Sequence, residues 1–294
     1  MSENGTQAPR RIGVTFNPQL AGASELATQL HGDIRARGVE ALLDEQDDGV
    51  NLTGCDLVIC LGGDGSVLRT AHRIIENGAL ILGVNMGRLG FLTELDGSEV
   101  RDRLDDILGG RGLVEERAML KAEVGGQVFH GLNEAVVGRA TLSRAIQLAV
   151  DVAGIRIADY RCDGVIISTA TGSTAYALSV GGPILYPEST DLVIVPVAPH
   201  LSAEHAVLVP GNEPVQITLE PNQEAVLSVD GQPDHQLHEG DSVRVGLSEY
   251  KARFLRFKPR SDFYLRMAAQ LGWHRPGGRA QPLPSVGLRG EGKQ

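Results

Sequence analysis

The chain has 294 residues, is 42% hydrophobic and carries a formal net charge of −10. That is enough material for two domains with cores of their own, and the acidic balance disfavours nucleic acid and anionic membrane as partners while leaving small anionic ligands to local arginines and backbone amides. No apolar run approaches the roughly 18 residues of a transmembrane helix, the polar N-terminus does not read as a signal peptide, and Cys55, Cys60 and Cys162 form no metal-ligand or disulfide pattern, so a reducing, cytoplasmic setting is expected.

In chain order, residues 1–10 carry no pattern and are expected to be disordered. Residues 12–18 form a first strand running into a turn. Residues 23–37 have helical spacing (Leu26, Leu30, Ile34), closed by Gly38 as C-cap. A second strand covers 39–43, and the acidic stretch Asp44-Glu45-Gln46-Asp47-Asp48 reads as a solvated loop.

The apolar run Leu57-Val58-Ile59 is a buried strand stopped by Gly62-Gly63-Asp64-Gly65. Behind it Val67, Ala71, Ile74 and Ile75 share one helical face, with Ser66 as N-cap. A strand, a glycine turn and a helix N-terminus make a phosphate cradle of backbone N–H groups and positive dipole. The carboxylate inside it is the unusual feature, because phosphate and carboxylate repel in a weakly screened cleft. A carboxylate tolerated there should hold a hydroxyl proton or a magnesium ion, which points to phosphoryl transfer onto an alcohol. No P-loop pattern occurs, and Leu68 stands where a dinucleotide fingerprint needs its third glycine. The structural alternative is a tight strand-to-helix turn with an incidental Asp.

Another buried strand covers 80–84 and leads into Asn85-Met86-Gly87-Arg88-Leu89-Gly90-Phe91-Leu92. Strands alternating with helices over 11–112 predict an α/β domain with a parallel, Rossmann-like sheet and ligands at the strand C-terminal ends. From residue 113 short alternating patterns recur, at 120–124, 146–152, 155–158, 192–195, 215–219, 225–229, 243–245 and 254–257. They predict an all-β sandwich over 113–260. Residues 262–271 return to helix, expected within a 261–274 segment packing back on the first domain. Residues 275–294, with five Gly and three Pro, are expected to be a disordered tail.

Three clusters in the second half carry chemistry. Asn133 and Glu134 interrupt a strand and offer groups for ribose hydroxyls, or are merely a polar strand end. The run from Arg161 through Asp163-Gly164 to Gly182-Pro183 is crowded with hydroxyls and glycines. It can cradle a phosphate or sugar while Tyr176 offers an aromatic face to a base, or be a Ser/Thr-rich turn. Ser228-Val229-Asp230-Gly231-Gln232 reads as a hairpin pointing Gln232 at a ligand. Asp234, His235, His238 and Glu239 read better as a polar hairpin tip than as metal ligands, and His200 and His205 lack H-E-x-x-H spacing.

Leu61-Gly62-Gly63-Asp64-Gly65, Gly83 to Leu92, Asn133-Glu134, Asp163-Gly164 to Gly182-Pro183 and Asp230-Gly231-Gln232 together resemble the NAD kinases in order and spacing, over residues 11–273. G-G-D-G alone is shared with lipid kinases, whereas D-G followed by T-G-S-T-A-Y, with N-E, is particular to the NAD kinase type. Ser66 stands where threonine is common and Ala170 where proline is common, and Phe16-Asn17-Pro18-Gln19 replaces a basic version at the rim.

The resemblance implies an NAD kinase: ATP, or inorganic polyphosphate, plus NAD giving NADP with Mg2+ carried in by the nucleotide and no protein metal ligands. It implies Asp64 as general base toward the ribose 2′-hydroxyl, with Gly62, Gly63 and Gly65 on donor phosphates. Gly65, Asn133, Glu134, Arg144, Arg161, Asp163, Thr174, Ala175, Tyr176, Ala177, Leu178, Ser179 and Gln232 would join Asp64 in binding NAD, some across a subunit interface of a homodimer or homotetramer. The rival readings are a G-G-D-G lipid kinase and a catalytically silent NAD(P)-binding sensor.

Overall fold

The computed structural model describes residues 7–46, 49–87, 90–141, 144–200, 205–232 and 234–273. It falls into two compact units, Met1–Lys258 and Pro259–Gln294.

In the first unit, β1 (Arg11–Phe16), β2 (Glu40–Glu45), β3 (Leu57–Gly62) and β4 (Leu80–Asn85) pair in parallel in the order β2-β1-β3-β4. Every residue of β3 is buried, as a central strand covered on both faces requires. Between the strands run α1 (Ala23–Ala36) and α2 (Asp64–Ile74). Ala23, Ala27, Leu30 and Ile34 form the buried stripe of α1. Gly38, at φ +79°, turns the chain out of it toward β2.

Three expectations need correction here. The N-cap of α2 is the extended Gly63, and Ser66 lies inside the first turn, 3% exposed. The reason is close approach: a Cβ at Gly62 would come within 2.3 Å of Ser66 Oγ, so the glycine lets strand and helix meet too tightly for Ser66 to precede the helix. The acidic stretch is not a solvated loop. Asp44 and Glu45 end β2, and Asp44 is fully buried, accepting from Thr15 Oγ1 (2.8 Å) and from both Arg73 guanidinium nitrogens (2.6 and 3.0 Å). Gln46, also buried, donates to the Ser66 carbonyl at 3.0 Å, while Asp47 and Asp48 lie outside the described residues. At the N-terminus residues 1–6 lie outside the description, but Pro9 is buried and the Arg10 amide donates to Asp56 Oδ2 at 2.8 Å.

The chain continues through β5 (Leu95–Asp96), α3 (Leu104–Leu108), β6 (Leu113–Val124), β7 (Gln127–Gly131), β8 (Glu134–Arg139), β9 (Ile146–Val152), β10 (Ile155–Cys162) and β11 (Gly164–Ser168). A 3-10 turn (Gly172–Thr174) and α4 (Tyr176–Ser179) precede β12 (Leu192–Val197), β13 (Val207–Val209), β14 (Val215–Leu219), β15 (Ala225–Val229), β16 (His235–Leu237) and β17 (Ser242–Arg256). A six-stranded antiparallel sheet runs β13-β12-β11-β8-β15-β16. Its Val137, Ile167 and Leu227 share a core with Leu148, Ile217 and Val245 of β9, β14 and β17, which makes the sandwich.

The patterns at 243–245 and 254–257 belong to one strand. β17 pairs along β6 with a register shift between Leu247 and Lys251, and that bulge breaks the apolar alternation. The same strand meets β4 in parallel at Arg253 and Phe254, so β1 to β4 continue into the antiparallel strands as one eleven-stranded sheet.

In the second unit α5 (Asp262–Gln270) carries an i,i+4 pair, Arg266 Nε to Asp262 Oδ2 at 2.6 Å. The expected tail, 275–294, lies outside the described residues. No helix among the described residues is long and apolar enough to cross a membrane.

Candidate active site

Asp64 is the first residue of α2, at the C-terminal end of β3. Its carboxylate is held by two backbone amides from the segment after β4: Phe91 N–H donates to Oδ2 at 2.8 Å and Leu92 N–H to Oδ1 at 2.9 Å. Gly90 makes this fit possible, since a Cβ there would lie 2.0 Å from Asp64 Oδ1. Each oxygen keeps lone-pair capacity for a substrate hydroxyl or for water on a metal ion. The first amides of α2 around Gly63 and Gly65 have no carbonyl one turn back to bond, so this end suits phosphate oxygens.

Behind the Phe91–Leu92 amides lies a buried set of charges. Arg256 donates to the Leu92 carbonyl (3.0 Å) and to Glu115 (2.9 Å), and approaches Glu94 Oε2 at 3.5 Å. Arg117 bonds Glu115 at 2.8 Å, and both guanidiniums stack on Phe254, at 5.2 and 4.8 Å from its centroid. Glu94 accepts the Phe257 and Lys258 amides at 2.8 and 2.7 Å. Burial works against the Glu115 charge, but the Arg117 and Arg256 guanidiniums outweigh it and hold its carboxyl at about 2. Burial, with Arg256 beside it, pulls Arg117 down to about 10.

The second centre is Asp230, whose side chain is completely buried. Asp230 (φ +51°) and Gly231 (φ +69°) form the tight turn between β15 and β16, as Asp-Gly hairpins do. Its Oδ1 accepts the Asn133 and Glu134 amides, both at 2.9 Å. Its Oδ2 accepts Leu132 N–H and lies 2.8 Å from His72 Nε2. The break between β7 and β8 is thereby pinned as a turn presenting Asn133 and Glu134. Glu134 Oε2 is buried with no hydrogen-bond partner among the described residues. Burial first, and then the Asp230 charge, push the Glu134 carboxyl up to about 8. At neutral pH it therefore offers one O–H donor as well as acceptors. Gln232 Nε2 reaches His72 Nδ1 at 3.0 Å.

The hydroxyl-rich run after β11 is engaged largely with backbone. Thr169 Oγ1 donates to the Leu132 carbonyl (2.6 Å), Ser173 Oγ to Ala170 (2.6 Å), Thr174 Oγ1 to Thr171 (3.1 Å) and Ser179 Oγ to Ala175 (3.4 Å). These bonds fold the run against the Asn133 turn. A Cβ at Gly172 would sit 2.2 Å from the Asn133 carbonyl, which explains the glycine. Thr171 Oγ1 alone among these hydroxyls is buried without a partner among the described residues. Tyr176 is 43% exposed, whereas Ala177 is fully buried with Ile166, Val193 and Val195 on the outer face of the six-stranded sheet.

Of the residues expected at a site, Asp64 and the glycines Gly62, Gly63 and Gly65 are joined through α2 and His72 to Asn133, Glu134 and Gln232. The turn carrying Thr174, Ala175, Tyr176, Leu178 and Ser179 abuts them through Thr169 and Gly172. Arg144 and Arg161 lie elsewhere, lining a cleft of about 810 Å3 with Arg139, Gln147, Gln223 and His238. Asp163 pairs with Arg139 at 3.0 Å. Sequence reasoning missed His72, the central place of Asp230, and the Glu94–Arg256–Glu115–Arg117 set. Of these only Asp230 carries a local signal, the Asp-Gly hairpin, and that pattern by itself points to Gln232 as the ligand-facing group.

Residues 8–111 match the family described as the ATP-NAD kinase N-terminal domain and residues 132–257 the ATP-NAD kinase C-terminal domain. The chain is 35% identical over 272 residues to an NAD kinase of Dehalococcoides mccartyi strain CBDB1, covering 89% of this chain and 96% of that one. It is 37% identical over 270 residues to an NAD kinase of Chloroflexus aurantiacus strain J-10-fl, covering 89% and 98%. Among solved structures, a yeast NADH kinase complexed with NADH superposes with a TM-score of 0.81 at 21% identity, covering 96% of this chain and 91% of that one. An NAD kinase from Archaeoglobus fulgidus in complex with ATP gives 0.76 at 24% identity, covering 88% and 99%. At those identities the two structures establish a shared fold.

Proposed function

The chain belongs to the ATP-NAD kinase family and is a kinase acting on NAD, and we propose that Asp64 is its catalytic residue. In this reading Asp64 takes the proton of the adenosine ribose 2′-hydroxyl as that oxygen bonds to the terminal phosphorus of ATP. The bond from that phosphorus to its bridging oxygen breaks, and the products are NADP and ADP. The observation that carries it is the carboxylate fixed by the Phe91 and Leu92 amides at the mouth of a helix N-terminus. A carboxylate locked there is oriented in advance, and orientation matters more than basicity when the transition state is loose.

Asn133 and Glu134 hold the adenosine, with Gln232, Thr174, Ala175, Tyr176, Leu178 and Ser179 around the dinucleotide. Arg144, Arg161 and Asp163 serve the same ligand from a neighbouring subunit of a homodimer or homotetramer. Ala177 supports this wall from behind, since its side chain is buried. The family's use of ATP implies a divalent metal, and Mg2+ is the ion we assign. It would arrive with the donor phosphates, which the Gly62, Gly63 and Gly65 amides would hold beside Asp64, and would supply charge neutralisation of the transferred phosphoryl group.

The test is NADP formation from NAD with ATP and Mg2+, with polyphosphate in a parallel reaction. NADP in the ATP reaction is expected. NAD binding with no NADP from either donor would favour a silent sensor, and no NAD binding at all would return the lipid kinase reading.

A further inference from the structure

The helix that begins with Asp64 carries His72 eight residues later, about 12 Å along its axis. The His72 side chain is 19% exposed, and both ring nitrogens are engaged. Nε2 lies 2.8 Å from Asp230 Oδ2, and the Gln232 amide nitrogen lies against the ring, 3.0 Å from Nδ1 and 3.3 Å from Nε2. Among the described residues, the partners of the buried Asp230 carboxylate are three amide donors and this ring. The network therefore assigns the proton to Nε2, where it is donated to Asp230, and leaves Nδ1 as the nearer of the two ring nitrogens to the Gln232 amide. The Gln232 amide nitrogen also approaches the His130 carbonyl at 3.4 Å, so the carbonyl oxygen is what Gln232 keeps for a ligand.

We propose that His72 is a positioning residue for the phosphoryl transfer. It fixes Asp230 and Gln232, and through Asp230 the Leu132–Glu134 turn, in register with Asp64 on the same helix. One rigid element thereby sets the distance between the group that accepts the proton and the turn that holds the adenosine. This rests on the assignment of Asn133 and Glu134 as the adenosine clamp. Without His72 the Asp230 carboxylate loses a donor that no neighbouring amide replaces, and the Gln232 amide keeps only its longer contact to the His130 carbonyl. The clamp then has to be ordered by the substrate itself, a cost that falls on NAD and not on the phosphoryl donor.

Steady-state kinetics of the full-length chain, with melting temperature recorded alongside, test this in three variants. His72→Ala should raise the KM for NAD about tenfold or more, as loss of a hydrogen bond to a buried charge does. The KM for ATP should stay within about twofold. His72→Gln places an amide donor near the Nε2 position and should recover most of the NAD affinity. His72→Asn reaches only the Nδ1 position and should remain impaired, so the two conservative variants decide the matter even if the alanine variant fails to fold. The proposal is overturned if the Gln and Asn variants share the wild-type KM for NAD, if both substrates are weakened equally, or if the kinetic losses merely follow melting temperature. A wild-type enzyme that forms no NADP would instead overturn the function on which the proposal rests.

Discussion

Glu134 and Asp230 are two carboxyls on neighbouring turns, and the fold treats them oppositely. Asp230 receives four donors, whereas Glu134 has a buried oxygen with none among the described residues. Burial and the Asp230 charge push the Glu134 carboxyl up to about 8 from an ordinary 4.5. Between those two pH values the folded chain binds more protons than the unfolded chain. The contribution of Glu134 is therefore most favourable below about 4.5 and is lost as pH rises toward 8. Glu134→Gln stays neutral throughout. Its melting temperature relative to wild type should rise steadily from pH 5 to pH 8 in the absence of ligand, and a pH-independent difference would refute the raised carboxyl. Gly90 makes a second residue-scale case, because any Cβ there strikes the Asp64 carboxylate. Gly90→Ala should lower kcat about 100-fold, the penalty for misplacing a reacting group by an ångström. NAD binding by calorimetry should change little, since the Asn133 turn is untouched.

At the scale of elements, the β2–α2 contact shows how a strand end can hide its charge. Asp44 closes β2 and is enclosed by Thr15 and Arg73, which come from β1 and α2. Asp44→Ala leaves the Arg73 guanidinium without its bidentate partner and should cost about 3 kcal/mol in urea unfolding. A loss under 1 kcal/mol would place this pair among exposed bridges of little consequence. The sequence could not disclose this. Five polar residues in a row look solvated from their own composition, and the Arg73 that buries the first of them lies 29 positions away. The same limit applied to Ser66, read as a cap from its neighbours alone, while Gly62 packing against it decided the helix start. Periodicity did reveal α1, α2 and the parallel strands, because their apolar spacing is set by which face each one buries.

Across the whole molecule, the carboxylate we propose as the general base depends on segments that only the complete sheet brings together. Asp64 rests on the Phe91 and Leu92 amides, the Leu92 carbonyl on Arg256 at the end of β17, and Arg256 on Glu115 in β6. The motif at residues 62–65 was legible because glycines and a carboxylate at a strand end have few other uses. Its support was not, since β17 reaches β4 from more than 170 residues away. The most direct measurement of the account is turnover and NAD affinity of Asp64→Asn, which keeps the size and the amide contacts possible for one oxygen. NAD affinity should stay within a few-fold of wild type while NADP formation falls by about 10²–10⁴, the contribution of a general base. Near-normal turnover in that variant would contradict the assignment of Asp64 and leave the transfer to positioning alone.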